Sequence, residues 1–124
     1  MAPHTENRIR PCPPSPNCVS SLAGDVRHYV APIRYEGDEA EMRHRILNAV
    51  NAMRGARVTV SDQKYIRAEF VSSVFQFIDD VEFEFDTAEK QVQVRSASRK
   101  GYYDLGVNRR RIERIRKKLN QSGT

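Results

Sequence analysis

The sequence predicts an α+β domain, an antiparallel sheet with both helices packed on one of its faces, and three observations carry that reading. Four consecutive segments between Val58 and Arg95 alternate apolar and polar residues with a period of two, as half-buried strands do. One segment before them and one after repeat apolar residues at helical spacing instead. The 124 residues suffice for one hydrophobic core and are too few for two.

Residues 1–24 read as a Pro-rich N-terminal loop, residues 25–120 as the single α+β domain, and residues 121–124 as a fraying tail. Pro11, Pro13, Pro14 and Pro16 fix φ and remove backbone donors, which excludes helix and central strand and leaves a stiff, extended segment. Val19 and Leu22 are its apolar anchors. His28–Tyr35 is rich in β-branched and aromatic residues, and Pro32 restricts it to an edge strand. After Gly37, Asp38 and Glu41 form an Asp-x-x-Glu capping pattern. Met42, Ile46, Leu47, Val50 and Met53 then mark one helix face, and Gly55 supplies the stop.

The four strands place Val58 and Val60 on one face, then Ile66, Ala68 and Phe70, then Val81, Phe83 and Phe85, then Val92 and Val94. Arg67, Glu69, Glu82, Glu84, Gln93 and Arg95 fall on the opposite face, where charges can pair across strands in contact with water. The last helix runs from about Val107 to Leu119 on a narrow strip of Ile112, Ile115 and Leu119. The predicted order is strand, helix, four antiparallel strands, helix. It resembles the order of the TATA-binding-protein-like and helix-grip folds, a likeness of topology alone.

The net charge of +5 is unevenly distributed. Residues 1–98 carry 12 Lys and Arg against 14 Asp and Glu, whereas residues 99–124 carry 9 against 2. A local positive patch suits an anionic partner, and a solvated helix face is the plainer alternative. Nucleic acid is an alternative partner for Arg109–Lys118, but only Tyr102 and Tyr103 could stack on bases, so it is not favoured. No apolar run is long enough for a transmembrane segment. MAPHTENRIR lacks the apolar region of a secretory signal, so a cytoplasmic location is expected.

Strand parity brings polar residues onto the inward face at one end of the sheet. Asp79 precedes Val81 by two, while Ser96 and Ser98 follow Val94, and antiparallel pairing makes the three neighbours. The loop leaving Ser98 adds Arg99, Tyr102, Tyr103 and Asp104, and the helix start adds Asn108 and Arg109. Such a set could bind a small polar or anionic ligand. Alternatively, Asp79 or Asp104 pairs with Arg99 or Arg109 and merely ties the loop down. Asp79 or Asp104 could also serve an enzyme as acid or base.

Motifs of known enzymes are absent from the sequence: there is no nucleophile elbow, phosphate-binding glycine loop, HExxH or dinucleotide fingerprint. Whether the chain is an enzyme is open, and no cofactor is expected. Cys12 and Cys18 permit a small disulfide ring, with free thiols the alternative. Redox chemistry ranks below these, because the spacing is not CxxC. A metal ranks last, since His4 or His28 would have to complete the site at no recognised spacing. His44 reads as a solvated histidine.

The segments CPPSPNCVSS, YIRAEF, FIDDVEFEFD and VRSASRKGYYDLGVNRRRIERIR, in that order from Cys12 to Arg116, resemble the bacterial and plastid family called domain of unknown function 1499. The resemblance covers Cys12 to Leu119. It implies relatedness without an activity, because the family carries none. Some similar proteins place a lipoprotein signal or membrane segments ahead of the CPPSPNC-like motif.

The positions it marks include Asn17, Cys18, Ser20, Asp79, Asp80, Arg95, Ser96, Ser98, Arg99, Gly101, Asp104, Gly106, Asn108 and Arg110. The two motif-rich loops are expected to meet, the first lying across the mouth of the second. The favoured reading is a small binding module for a small ligand or a protein. Its ligand-binding candidates are Asn17, Ser20, Asp79, Ser96, Ser98, Arg99, Tyr102, Asp104, Asn108 and Arg110.

Overall fold

The computed structural model describes residues 8–72 and 76–122. His4, the first seven residues of the Pro-rich segment and residues 123–124 of the expected tail lie outside them. The elements are β1 (Cys18–Ser20), β2 (Ile33–Arg34), α1 (Glu39–Asn51), β3 (Ala56–Ser61), β4 (Tyr65–Val71), β5 (Ile78–Asp86), β6 (Gln91–Ser98) and α2 (Val107–Ser122). The six-stranded antiparallel sheet has the order β1-β6-β5-β4-β3, and β2 also pairs with β6. The α+β class and the helix and strand order agree with the sequence reading, with β1 an addition to it.

The core forms between one sheet face and the two helices. Ile66, Ala68, Phe70, Val81, Phe83, Phe85, Val92 and Val94 supply the sheet side. Met42, Ile46, Val50, Ile112, Ile115 and Leu119 supply the helical side. Burying each of the larger side chains contributes about 1.5–3 kcal/mol, so this layer drives folding.

Several local expectations give way to tertiary constraints. The Pro-rich segment ends in a true strand, because after Pro16 the chain regains its donors and Cys18, Val19 and Ser20 pair with Ala97, Ser96 and Arg95. The expected strand His28–Tyr35 shrinks to Ile33–Arg34, since Pro32 interrupts the ladder. A bulge between Val58 and Val60 sets Val60 opposite Arg67, so Val58 packs on the core without Val60. Leu22 is exposed and anchors nothing, unlike Val19.

Asp38 makes no side-chain capping bond. Glu39 of the first turn instead binds Lys64 at 2.8 Å and accepts a hydrogen bond from Thr87. The helix ends at Asn51, and Gly55 serves the following turn at φ +79, where a Cβ would lie 2.5 Å from the Val71 carbonyl oxygen. At the other end of the chain, α2 continues to Ser122, past the expected helix end at about Leu119.

The outer face of the sheet differs most from its expected solvated state, because residues 8–17 run across it as a strap. The Arg8 backbone N–H donates to Glu84 at 2.9 Å, while its guanidinium pairs with Asp62 at 2.8 Å and lies 4.0 Å above the Tyr65 ring. Arg95 donates to the Pro11 carbonyl oxygen at 3.4 Å, and a disulfide joins Cys12 to Cys18. Ile9, Tyr65 and Glu82 are buried. Tyr65 donates its hydroxyl proton to Glu82, and burial together with that bond pushes the phenol up to about 12. Glu82 also pairs with Arg95 at 3.5 Å.

The disulfide closes a short ring, whose loop entropy corresponds to about 2 kcal/mol. A Cys12→Ser, Cys18→Ser variant is therefore expected to lose about 2 kcal/mol of unfolding free energy in urea. Hydrogen exchange should quicken selectively in residues 8–17. Unchanged exchange there would show that Arg8 and Arg95 secure the strap without the disulfide.

Candidate functional site

The loop after β6, residues 99–106, and the strap come together at one end of the sheet, and two buried asparagine side chains join them. Asn108 is 0% exposed. Its position four residues before Ile112 puts it on the same helix face as Ile112, Ile115 and Leu119, pointing at the sheet. Its amide nitrogen donates to Asp104 at 2.8 Å, to Ser98 at 3.0 Å and to the Asn17 carbonyl oxygen at 3.3 Å. Its amide oxygen accepts from Ser96 at 2.6 Å and from Arg111 at 2.9 Å. Both donor hydrogens and both lone pairs are occupied.

Asn17, also buried, joins the strap to the loop. Its amide donates to the carbonyl oxygens of Gly101 at 2.8 Å and Lys100 at 3.4 Å, and its own carbonyl oxygen accepts from the Ser98 N–H at 3.0 Å. Asp104 accepts from the backbone N–H groups of Gly106 and Asn108 at 2.8 and 3.1 Å. Its carboxylate thus occupies the helix N-terminus where a ligand anion would sit. Burial raises the Asp104 pKa, but the bonds from Asn108 and Gly106 outweigh it and hold the group below the usual carboxylate range.

Asp79 faces inward opposite Ser98 and pairs with Arg111 at 2.8 Å. Burial lowers the Arg111 pKa, an effect that Asp79 opposes, and the guanidinium stacks 4.8 Å from Phe70. The structure therefore unites Asn17, Ser96, Ser98, Asp104 and Asn108 in one knot, with Asp79 at its edge through Arg111.

Other candidates lie elsewhere. Arg99 turns to the outer face, where it binds Asp80 and Glu69 at 2.8–3.0 Å, so it pairs with neither Asp79 nor Asp104. Ser20 lies beside Arg95 in the register, and its hydroxyl oxygen accepts the Leu22 N–H. Arg110 donates to the Leu105 carbonyl oxygen at 2.8 Å. Tyr102 is exposed and stacks edge-on against Tyr103 at 4.8 Å. Arg109 binds the carbonyl oxygens of Tyr29 and Arg27 in place of a carboxylate.

Two residues that matter escape the sequence reading. Arg111 looks like one more exposed cation, although its place three residues after Asn108 turns it toward the sheet. His28 is buried, with Nδ1 2.7 Å from Asp25 and Nε2 2.9 Å from the Ser15 carbonyl oxygen. Those two acceptors raise its pKa from 6.5, Ser15 contributing most, because only the imidazolium can donate at both nitrogens. The Asp-x-x-His spacing was the available signal.

Among the described residues, no group of His, Cys, Asp and Glu could hold a metal ion, and no helix is long and apolar enough to cross a membrane. The profile of the family described as protein of unknown function (DUF1499) matches residues 8–119. No curated protein matches the chain.

Asn108→Ala removes five side-chain hydrogen bonds at a fully buried position and is expected to cost about 3 kcal/mol in denaturant unfolding, whereas an exposed change such as Lys117→Ala should cost under about 0.5 kcal/mol. Two opposite pH dependences follow as well. Asp104, depressed in the fold, contributes stability present above its unfolded pKa of 3.8 and lost as pH falls through the lower folded value. His28 contributes stability fully present below 6.5 and lost as pH rises through its raised folded value. Stability curves should lose the acid-side component in Asp104→Asn and the neutral-to-alkaline decline in His28→Gln; parallel curves for all three proteins would refute the assignment.

Proposed function

The chain belongs to the DUF1499 family, and from that membership, which brings no activity with it, we propose that it is a small binding module that recognises a protein partner through residues 99–107. One observation carries this reading. The base of the loop is locked by the Asn108 knot, while its tip presents Tyr102, Tyr103 and Leu105 at 54, 76 and 86% exposure. Large apolar side chains on a rigid base favour recognition, because little conformational freedom remains to be lost on binding. Leu105 has φ +55, a left-handed conformation unfavourable for its side chain, and Arg110 restrains it through the carbonyl oxygen.

On this reading Asn17, Ser96, Ser98, Asp104 and Asn108 are positioning residues, and Tyr102, Tyr103 and Leu105 make contact. The mutual hydrogen bonding of the buried polar groups supports that division over a buried ligand site. The same bonding weighs against Asp79 or Asp104 as a catalytic acid or base. The disulfide supports an oxidising compartment over the cytoplasm expected from the N-terminal sequence.

A photo-crosslinking residue at position 103 should capture a discrete partner that the same residue at exposed position 113 does not. Calorimetry with that purified partner should then show affinity falling at least about tenfold in Tyr102→Ser, Tyr103→Ser, Leu105→Ser, with the unfolding midpoint unchanged. Equal affinity of the triple variant would refute the loop as the contact surface.

A further inference from the structure

The basic helix holds two kinds of cation. Arg109 and Arg116 donate to the carbonyl oxygens of Arg27, Tyr29, Ala31 and Pro32, and Arg111 is paired with Asp79. Arg114 and Lys118 are different. Among the described residues neither has an ion-pair or hydrogen-bond partner, and the same holds for Arg54, beyond the end of α1. All three line one groove of about 490 Å³ between α2, the turn after α1 and the end of β4, where Ala52, Met53, Phe70 and Val71 also line it. A second groove of about 480 Å³ shares Ala52 and Lys118 with it, and among the described residues neither has an acidic residue in its wall.

Physical chemistry makes this arrangement of cations unfavourable by itself. Arg114 and Lys118 are four apart on one helix face, a like-charge spacing that destabilises a helix. Arg114 also repels Arg111, whose protonated form is already disfavoured by burial. An anion in the groove would relieve both repulsions together. A single carboxylate would leave most of the charge unbalanced, whereas phosphate groups carry higher charge and tetrahedral oxygens that match guanidinium forks.

Among the described residues, the groove offers no surface for base stacking. Its aromatic residue, Phe70, is 4% exposed and covered by Arg111 at 4.8 Å. We propose that the groove between α2, the turn after α1 and the end of β4 binds a soluble oligophosphate, held by Arg54, Arg114 and Lys118. This site is separate from the 99–107 loop and does not depend on the reading given for it.

Calorimetry with tripolyphosphate on the disulfide-bonded chain tests the assignment. Binding should weaken about tenfold on Arg114→Gln and again on adding Lys118→Gln. Lys117→Gln, an equal loss of charge on the same helix outside the groove, should leave it nearly unchanged, and thermal melts report whether each variant folds. Equal loss in Lys117→Gln would reduce the effect to net charge and overturn the site. Tighter binding of citrate or an acidic peptide would overturn the phosphate assignment. Tighter binding of a single-stranded oligonucleotide would overturn the exclusion of nucleic acid. Binding only to phosphatidylcholine vesicles carrying a bisphosphorylated inositol lipid would overturn the soluble ligand and transfer its phosphate chemistry to a headgroup.

Discussion

The Asn108 side-chain amide is the constraint on which the rest of the structure depends. It is fully buried and joins the strap through the Asn17 carbonyl oxygen, the end of β6 through Ser96 and Ser98, the loop through Asp104 and its own helix through Arg111. An amide can do this because it offers two donors and two acceptor sites in a fixed plane. A hydrophobic residue here would remove five side-chain hydrogen bonds that tie these segments together. Low local dielectric makes such a network strong when complete and costly when broken.

The strap gives the sheet a second covered face. Arg8, Ile9, Pro11 and Cys12 lie over the outer side, and Tyr65, Glu82 and Arg95 are enclosed beneath them. Burying a carboxylate is tolerable only when it is paired and hydrogen-bonded, and Glu82 has both Arg95 and the Tyr65 hydroxyl. The covering also explains why Cys18 and Ser20 are buried although they belong to an edge strand. The disulfide and the Asn17 bonds fasten one end of the strap and Arg8 the other.

The basicity of the C-terminal helix divides between structure and surface. Pro32 interrupts the ladder near β2, and the carbonyl oxygens of Arg27, Tyr29, Ala31 and Pro32 are bound by Arg109 and Arg116. A planar guanidinium reaches two carbonyl groups at once, which an ammonium does with less directional precision. Arg110 restrains the Leu105 carbonyl oxygen in the same manner. Much of what looks like a phosphate-binding strip is therefore a set of clamps, while Arg114 and Lys118 line the groove beside the end of β4.

Period and parity determined the α+β class, the core strands and the neighbourhood of Asp79, Ser96 and Ser98, because side-chain alternation is a local property of the backbone. The turn and helix assignments followed from equally local signals. The meeting of the strap with the 99–106 loop was legible only as an expectation resting on motif density. Tertiary structure alone decided that Asn108 would be the junction, that Arg99 would turn to the outer face and that Arg111 would be buried against Asp79. It also decided that a Pro-rich segment would end as a strand. These outcomes depend on which donors and acceptors remain unpaired once the sheet and helices have docked, and that accounting is settled by segments far apart in the chain.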